Sequence, residues 1–229
     1  KLSHEGTLEA TISDTAGTPG ACAWSVQSGD LAVMNIFGTS GSAGSVLVYP
    51  KGSGGPNSYT NPEQFYYAFG GYDGSGNLFF DGRKAAGAFI LSELKKGAAS
   101  ATTIKLKGGK VYFPGMVQPI ASSTADLIVG DQNCENAMAA CVYSLSISGG
   151  TGTVKEQTKL DNGEGGPVCD LVQAVVENGK VLGSDNDYCD YGSSATYVWP
   201  YPAGGSPLLT NAGTVSQPFG AAVSVLGSR

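Results

Sequence analysis

The chain has 229 residues and a formal net charge of −6, with 35 Gly, 11 Pro and only 14% charged side chains. The glycine content excludes helical bundles and coiled coils. The 41% apolar content excludes disorder, and the lack of an 18-residue apolar run excludes a helical membrane span. An all-β, turn-rich protein remains. The acidic balance also argues against nucleic acid and anionic membrane as partners, because such surfaces need clustered cations. The only basic groupings are Arg83-Lys84, Lys95-Lys96 and Lys105, Lys107, Lys110. They read as solvated strand ends and turns.

In chain order, residues 6–12 read first, as an outer strand. The first full unit then offers strand a at Ala21 to Val26, strand b at Asp30 to Met34 and strand c at Ser45 to Tyr49. A short strand d follows near Asn57 to Thr60, and Gly, Ser and Pro mark the turns between these runs. The strand b segment, Gly29 to Asn35, returns at Gly76 to Gly82, Ala125 to Asp131 and Gly179 to Asp185, at intervals of 47, 49 and 54 residues. A second motif keeps step with it: Val46 to Gly52, Leu91 to Gly97, Val142 to Gly150 and Val198 to Gly205. Four short antiparallel strands repeated at this period predict a β-propeller, because one small sheet cannot bury both faces alone. The predicted blades lie at about 19–61, 65–106, 111–160 and 168–212 of one domain spanning 1–229. Residues 218–225 read as a further strand a, so the two termini contribute to another blade. The expectation is a ring of five or six blades, completed by upstream sequence or by a partner chain.

Five cysteines stand at 22, 134, 141, 169 and 189. No close C-x₂-C pairs or added histidines suggest a metal site. Local disulfides Cys134–Cys141 and Cys169–Cys189 are expected, which implies an oxidising, extracytoplasmic compartment. Five reduced thiols are the alternative. Cys22, in Ala-Cys-Ala-Trp, reads as a buried inert thiol or as the mate of an absent partner.

The Gly-Asn-Leu-Phe-Phe-Asp stretch at 76–81 resembles the strand motif of NHL-like β-propellers. Gly70 to Asp73, Tyr201 to Pro207 and Pro218 to Gly220 look like stretches of secreted bacterial propellers of unassigned function. The gluconolactonase-like and strictosidine-synthase-like relatives of that group imply a fold far better than an activity. The long b–c loops depart from strict NHL spacing.

In a propeller the polar residues closing strand b lie near the channel mouth. Asn35, Asp81, Asp131 and Asp185 are therefore the candidate ligand-binding positions. What the gluconolactonase-like resemblance implies there is a metal held by Glu, Asn and Asp, generating hydroxide for lactone hydrolysis. The structural alternative is that each of them satisfies backbone amides of its own turn. Asp185, Asp187 and Asp190 form the densest acidic cluster and suit calcium, although without an EF-hand pattern. The single histidine, His4, precedes an outer strand, so no catalytic residue is assigned. Tyr59, Phe65, Tyr66, Tyr67, Tyr72, Tyr188, Tyr191 and Tyr197 are candidates for stacking on sugars or anchoring a protein, or for packing between blades. The expected function is a non-catalytic, secreted binding or assembly module for a protein or glycan, with self-assembly open. The alternatives are a metal-dependent lactonase or hydrolase and a subunit of an extracellular filament or envelope layer.

Overall fold

The computed structural model describes residues 8, 11–120, 126–137, 139–169, 171–186, 194–212 and 218–221. Among the described residues, sixteen strands form four antiparallel meanders. The first holds β1 (Gly17–Trp24), β2 (Leu31–Gly38), β3 (Ala43–Tyr49) and β4 (Asn57–Tyr59). The second holds β5 (Tyr66–Tyr72), β6 (Leu78–Arg83), β7 (Phe89–Leu94) and β8 (Thr102–Lys107). The third holds β9 (Pro114–Pro119), β10 (Leu127–Asp131), β11 (Cys141–Ser148) and β12 (Thr151–Lys159). The fourth holds β13 (Ala174–Glu177), β14 (Lys180–Asp185), β15 (Ala195–Pro200) and β16 (Leu209–Ala212). The first repeat motif falls on β2, β6, β10 and β14, and the second begins on β3, β7, β11 and β15. The leading strands β1, β5, β9 and β13 neighbour one another in that order. Sheets radiating from adjacent inner strands are the β-propeller arrangement the repeats predict.

The core lies between the sheets and not within any one of them. Successive side chains of a strand point to opposite faces. On β6, Leu78 and Phe80 therefore pack toward the first sheet, against Ala32, Met34, Val46 and Val48, while Phe79 packs toward the third. On β10, Leu127 and Val129 face the second sheet, and Ile128 faces the fourth with Met116, Val142, Val181 and Trp199. A strand buried on both faces needs a continuous apolar run, which is why the repeat motif reads Leu-Phe-Phe or Leu-Ile-Val. Each such side chain contributes about 1.5–3 kcal/mol relative to exposure. Tyr67 and Tyr197 belong to these layers, fully or almost fully buried. Tyr67 stacks on Phe80 and Tyr197 lies against Trp199.

Some local expectations change. Between the expected strands b and c, the Gly/Ser-rich stretch forms only a turn over Thr39–Gly41, with β2 and β3 extended to either side. Strand a begins earlier than expected and ends at Trp24. Cys22 is a free, exposed thiol, not a buried one. Alternation explains this: Ala21 and Ala23 pack toward the second sheet, so Cys22 faces away. Of the expected outer strand at 6–12, only Leu8, Thr11 and Ile12 are described. Of the expected strand at 218–225, only Pro218 to Ala221 are described, and they carry no strand. Among the described residues no helix is long and apolar enough to cross a membrane.

One feature breaks the repeat. β8 pairs in parallel with β12 (Lys105 with Thr151, Leu106 with Gly152, Lys107 with Thr153) and fuses the second and third sheets along their outer edges. Glycines permit the approach. A Cβ on Gly109 would stand 2.8 Å from Val154 Cγ2, and one on Gly152 would stand 3.2 Å from side-chain atoms of Ile104 and Leu106.

Candidate functional site

The four residues closing the second strand of each unit are all buried, and each engages another part of the chain. Asp81 accepts an N–H from Phe69 (3.0 Å) at one carboxylate oxygen and from Gly115 (3.1 Å) at the other. It thereby ties β5 of its own sheet to β9 of the next. Asp131 accepts from Tyr112, Phe113 and Asn133 at 2.9–3.0 Å, holding the segment that enters β9. Asp185 accepts from Cys169, ahead of β13, at 3.4 Å. Asn35 donates to Asp14 at 3.0 Å, and its Oδ1 has no hydrogen-bond partner among the described residues.

Burial and charge act on two of these carboxyls together. Desolvation pushes Asp81 well above the usual carboxylate range, against the pull of its amide hydrogen bonds, and the negative charge of Asp131 adds to the rise. Asp131 is raised for the same leading reason. The structure thus brings Asp81 and Asp131 within electrostatic reach of each other. Each of the four closing residues makes its own backbone or side-chain contacts, and those of Asn35 and Asp185 lie elsewhere.

Asp187, Asp190 and Cys189 lie outside the described residues, as do Tyr188, Tyr191 and His4. Among the described residues no three His, Cys, Asp or Glu side chains converge as a metal-binding group. Cys134 and Cys141 form a disulfide with Cα atoms 5.6 Å apart, closing the β10–β11 connection. Cys169 is also disulfide-bonded.

A cavity of about 240 Å³ lies where the inner strands meet. Ala21 of β1, Phe69 and Gly70 of β5, Met116 to Gln118 of β9 and Ala174 of β13 line it, with Gln173 and Ala221. This is the axial channel. Its described lining is apolar and amide, and Gln118 is fixed by a reciprocal pair of hydrogen bonds to the backbone of Val176.

A larger cavity, about 600 Å³, opens on the rim. It runs between β7 and β8, and residues 109–112 also line it. Lys84, Lys105 and Lys110 stand around it over Phe89, Leu91, Ile104, Leu106 and Val111. Lys84 donates to Glu63 at 2.6 Å, and that hydrogen bond leads the lowering of the Glu63 pKa. Lys110 Nζ lies 4.1 Å from the centroid of the Tyr112 ring, a cation–π contact. Among the described residues Lys105 and Lys110 make no ion pair. The sequence reading puts Lys84 in one basic grouping and Lys105 and Lys110 in another, all as solvated strand ends and turns. Beside them β8 turns away to pair with β12, joining positions 46 residues apart.

Beside the cleft lies a buried polar network that sequence reasoning also missed. Asn61 donates to Ser92 and Thr103, Ser92 donates to Gln64, and the Tyr67 hydroxyl both accepts from the amide of Asn61 and donates to its carbonyl. It fixes the second sheet behind the cleft. Its partners come from three separate stretches of chain, so no local motif signals it.

No family model and no curated protein matches the chain. Among solved structures it is similar to the WD40 β-propeller domain of Doa1, with a TM-score of 0.52 at 16% identity. The likeness covers 92% of this chain and 59% of that one, so the chain spans about three fifths of the length of the structure it matches. At that identity the likeness shows the fold, a β-propeller, and nothing of activity.

Proposed function

We propose that this propeller is a non-catalytic binding module for a protein or glycan, acting outside the cytoplasm, with the rim cleft as its binding site. The observation that carries the reading is the cleft itself. Three lysines of an acidic protein surround an apolar-floored cavity of about 600 Å³, the mixture of apolar body and few polar groups typical of ligand sites. The carboxylates closing the second strands support the same reading, since they are occupied in holding backbone. The Cys134–Cys141 disulfide and the bonded state of Cys169 support an oxidising compartment. Descent from NHL-like propellers, with blades at 19–61, 65–106, 111–160 and 168–212, belongs to the same proposal. Peptide and glycan arrays probed with the wild-type chain and with the Lys105→Glu/Lys110→Glu variant test it. Binding that the variant loses supports the module; no binding to either array removes it.

The electrostatic coupling of Asp81 and Asp131 favours one rival, a metal-dependent hydrolase of gluconolactonase type. A stoichiometric divalent ion in the purified protein, lost in Asp131→Ala, would establish that rival instead.

A further inference from the structure

The cleft is a gap between strands of one sheet, and its lining shows this. Residues on one face of a strand recur at every second position. Here Gly87 to Leu91 line the cavity consecutively, and so do Thr103 to Leu106. Consecutive lining means that the cavity runs along the strand edges. The pairing agrees. The β7–β8 ladder covers only Leu91 with Ile104, Ser92 with Thr103 and Glu93 with Thr102. Continued in register, Ile90 would meet Lys105 and Phe89 would meet Leu106. At those positions β8 has left β7 and pairs with β12. Along Ala88 to Ile90, backbone groups alternate sides: the Ala88 carbonyl bonds toward β6 and Ile90 is 2% exposed, so the backbone of Phe89 is what faces the cleft.

From this we infer that the cleft accepts an extended acidic peptide segment, which pairs by its backbone with the uncovered edge of β7. The inference rests on the binding-module reading and names its ligand class. Strand edges offer backbone donors and acceptors to any extended chain, and pockets beside them set which side chains fit. Here Lys105 and Lys110 flank the gap and Lys84 stands at its end, shared with Glu63. They favour carboxylate side chains at alternate positions of the guest. Leu106, Ile104 and Val111 favour an apolar side chain on the guest's other face. A sugar would use the charge but would leave the strand edge unmatched, which is why a peptide is the better occupant.

Fluorescence anisotropy with three labelled hexapeptides tests this on the full chain. Glu-Val-Glu-Val-Glu-Val should bind. Its Lys-Val counterpart should not bind, and a version with proline at the third and fourth positions should bind at least fivefold more weakly, because it cannot complete the ladder. Lys105→Glu/Lys110→Glu should weaken the acidic peptide at least tenfold. Lys110→Gln, at an exposed position outside any strand, takes its place if the double variant misfolds. Equal binding of the proline version would overturn the inference, by showing a charge effect only. Binding of a sulfated hexasaccharide without any peptide binding would overturn it and leave the module reading intact. Silence of all these probes together with silent arrays would remove both.

Discussion

The inner end of the propeller and its rim treat polar residues in opposite ways. Toward the axis, Asp81, Asp131 and Asp185 stand at equivalent places in the repeat, and each is buried with backbone amides on its oxygens. At the rim, Lys84, Lys105 and Lys110 come from unrelated places in the repeat and surround an open cavity. What recurs in the sequence holds the fold together. What departs from it, the diversion of β8 to β12, creates the opening. In a repeat protein the shared positions report stacking, and the irregular ones are where a ligand site is built.

The contrast can be broken first at Asp81. Asp81→Ala leaves the amides of Phe69 and Gly115 buried without an acceptor, which costs about 1–3 kcal/mol for each group. Relief of the buried charge offsets part of that. The expected net loss is about 3 kcal/mol by urea denaturation, the largest of these effects. A loss below about 0.5 kcal/mol would deny the carboxylate its holding role. Reduction or Ser replacement of Cys134 and Cys141 should cost about 2–3 kcal/mol, as expected for opening so short a loop. Asp131→Ala should cost about 1–2 kcal/mol, less than Asp81→Ala, because its three amide hydrogen bonds are only part-buried whereas that of Gly115 to Asp81 is buried.

Both carboxyls also set a pH dependence. Their folded-state pKa values lie above the ordinary carboxylate range, so folding favours their protonated forms. That contribution is complete below the ordinary range and is lost as pH rises through the raised values. Glu63 and Glu135 are lowered by Lys84 and Lys159, and act in the opposite sense, but these pairs are exposed and screened. Denaturation midpoints should therefore fall from mildly acidic toward neutral pH, and Asp81→Asn should flatten that fall. The smallest effect on stability belongs to the rim. Lys105→Glu/Lys110→Glu should shift it by no more than about 0.5 kcal/mol, as for other surface changes.

The same contrast separates what was legible in the sequence from what was not. The Leu-Phe-Phe and Leu-Ile-Val runs announced β6 and β10 because burial on two faces leaves a continuous apolar signature. The Cys134–Cys141 pair was legible because it closes a short local loop. The closing residues recur visibly in the repeat, but the hydrogen bonds of Asp81 to Gly115 and of Asp131 to Tyr112 link separate stretches that spacing does not reveal. The cleft was illegible for the same reason. Lys84, Lys105 and Lys110 stand around one cavity, and beside it β8 approaches β12 where Gly109 and Gly152 leave room. A glycine in this sequence is one of 35, and nothing local marks those two.

Hydrogen–deuterium exchange of the chain with and without the acidic hexapeptide tests the separation of rim and axis most directly. Protection should appear at residues 84–91 and 103–112, while the channel segments at 69–70, 116–118 and 173–175 stay unchanged. Protection centred on the channel segments, with the rim unaffected, would contradict the account.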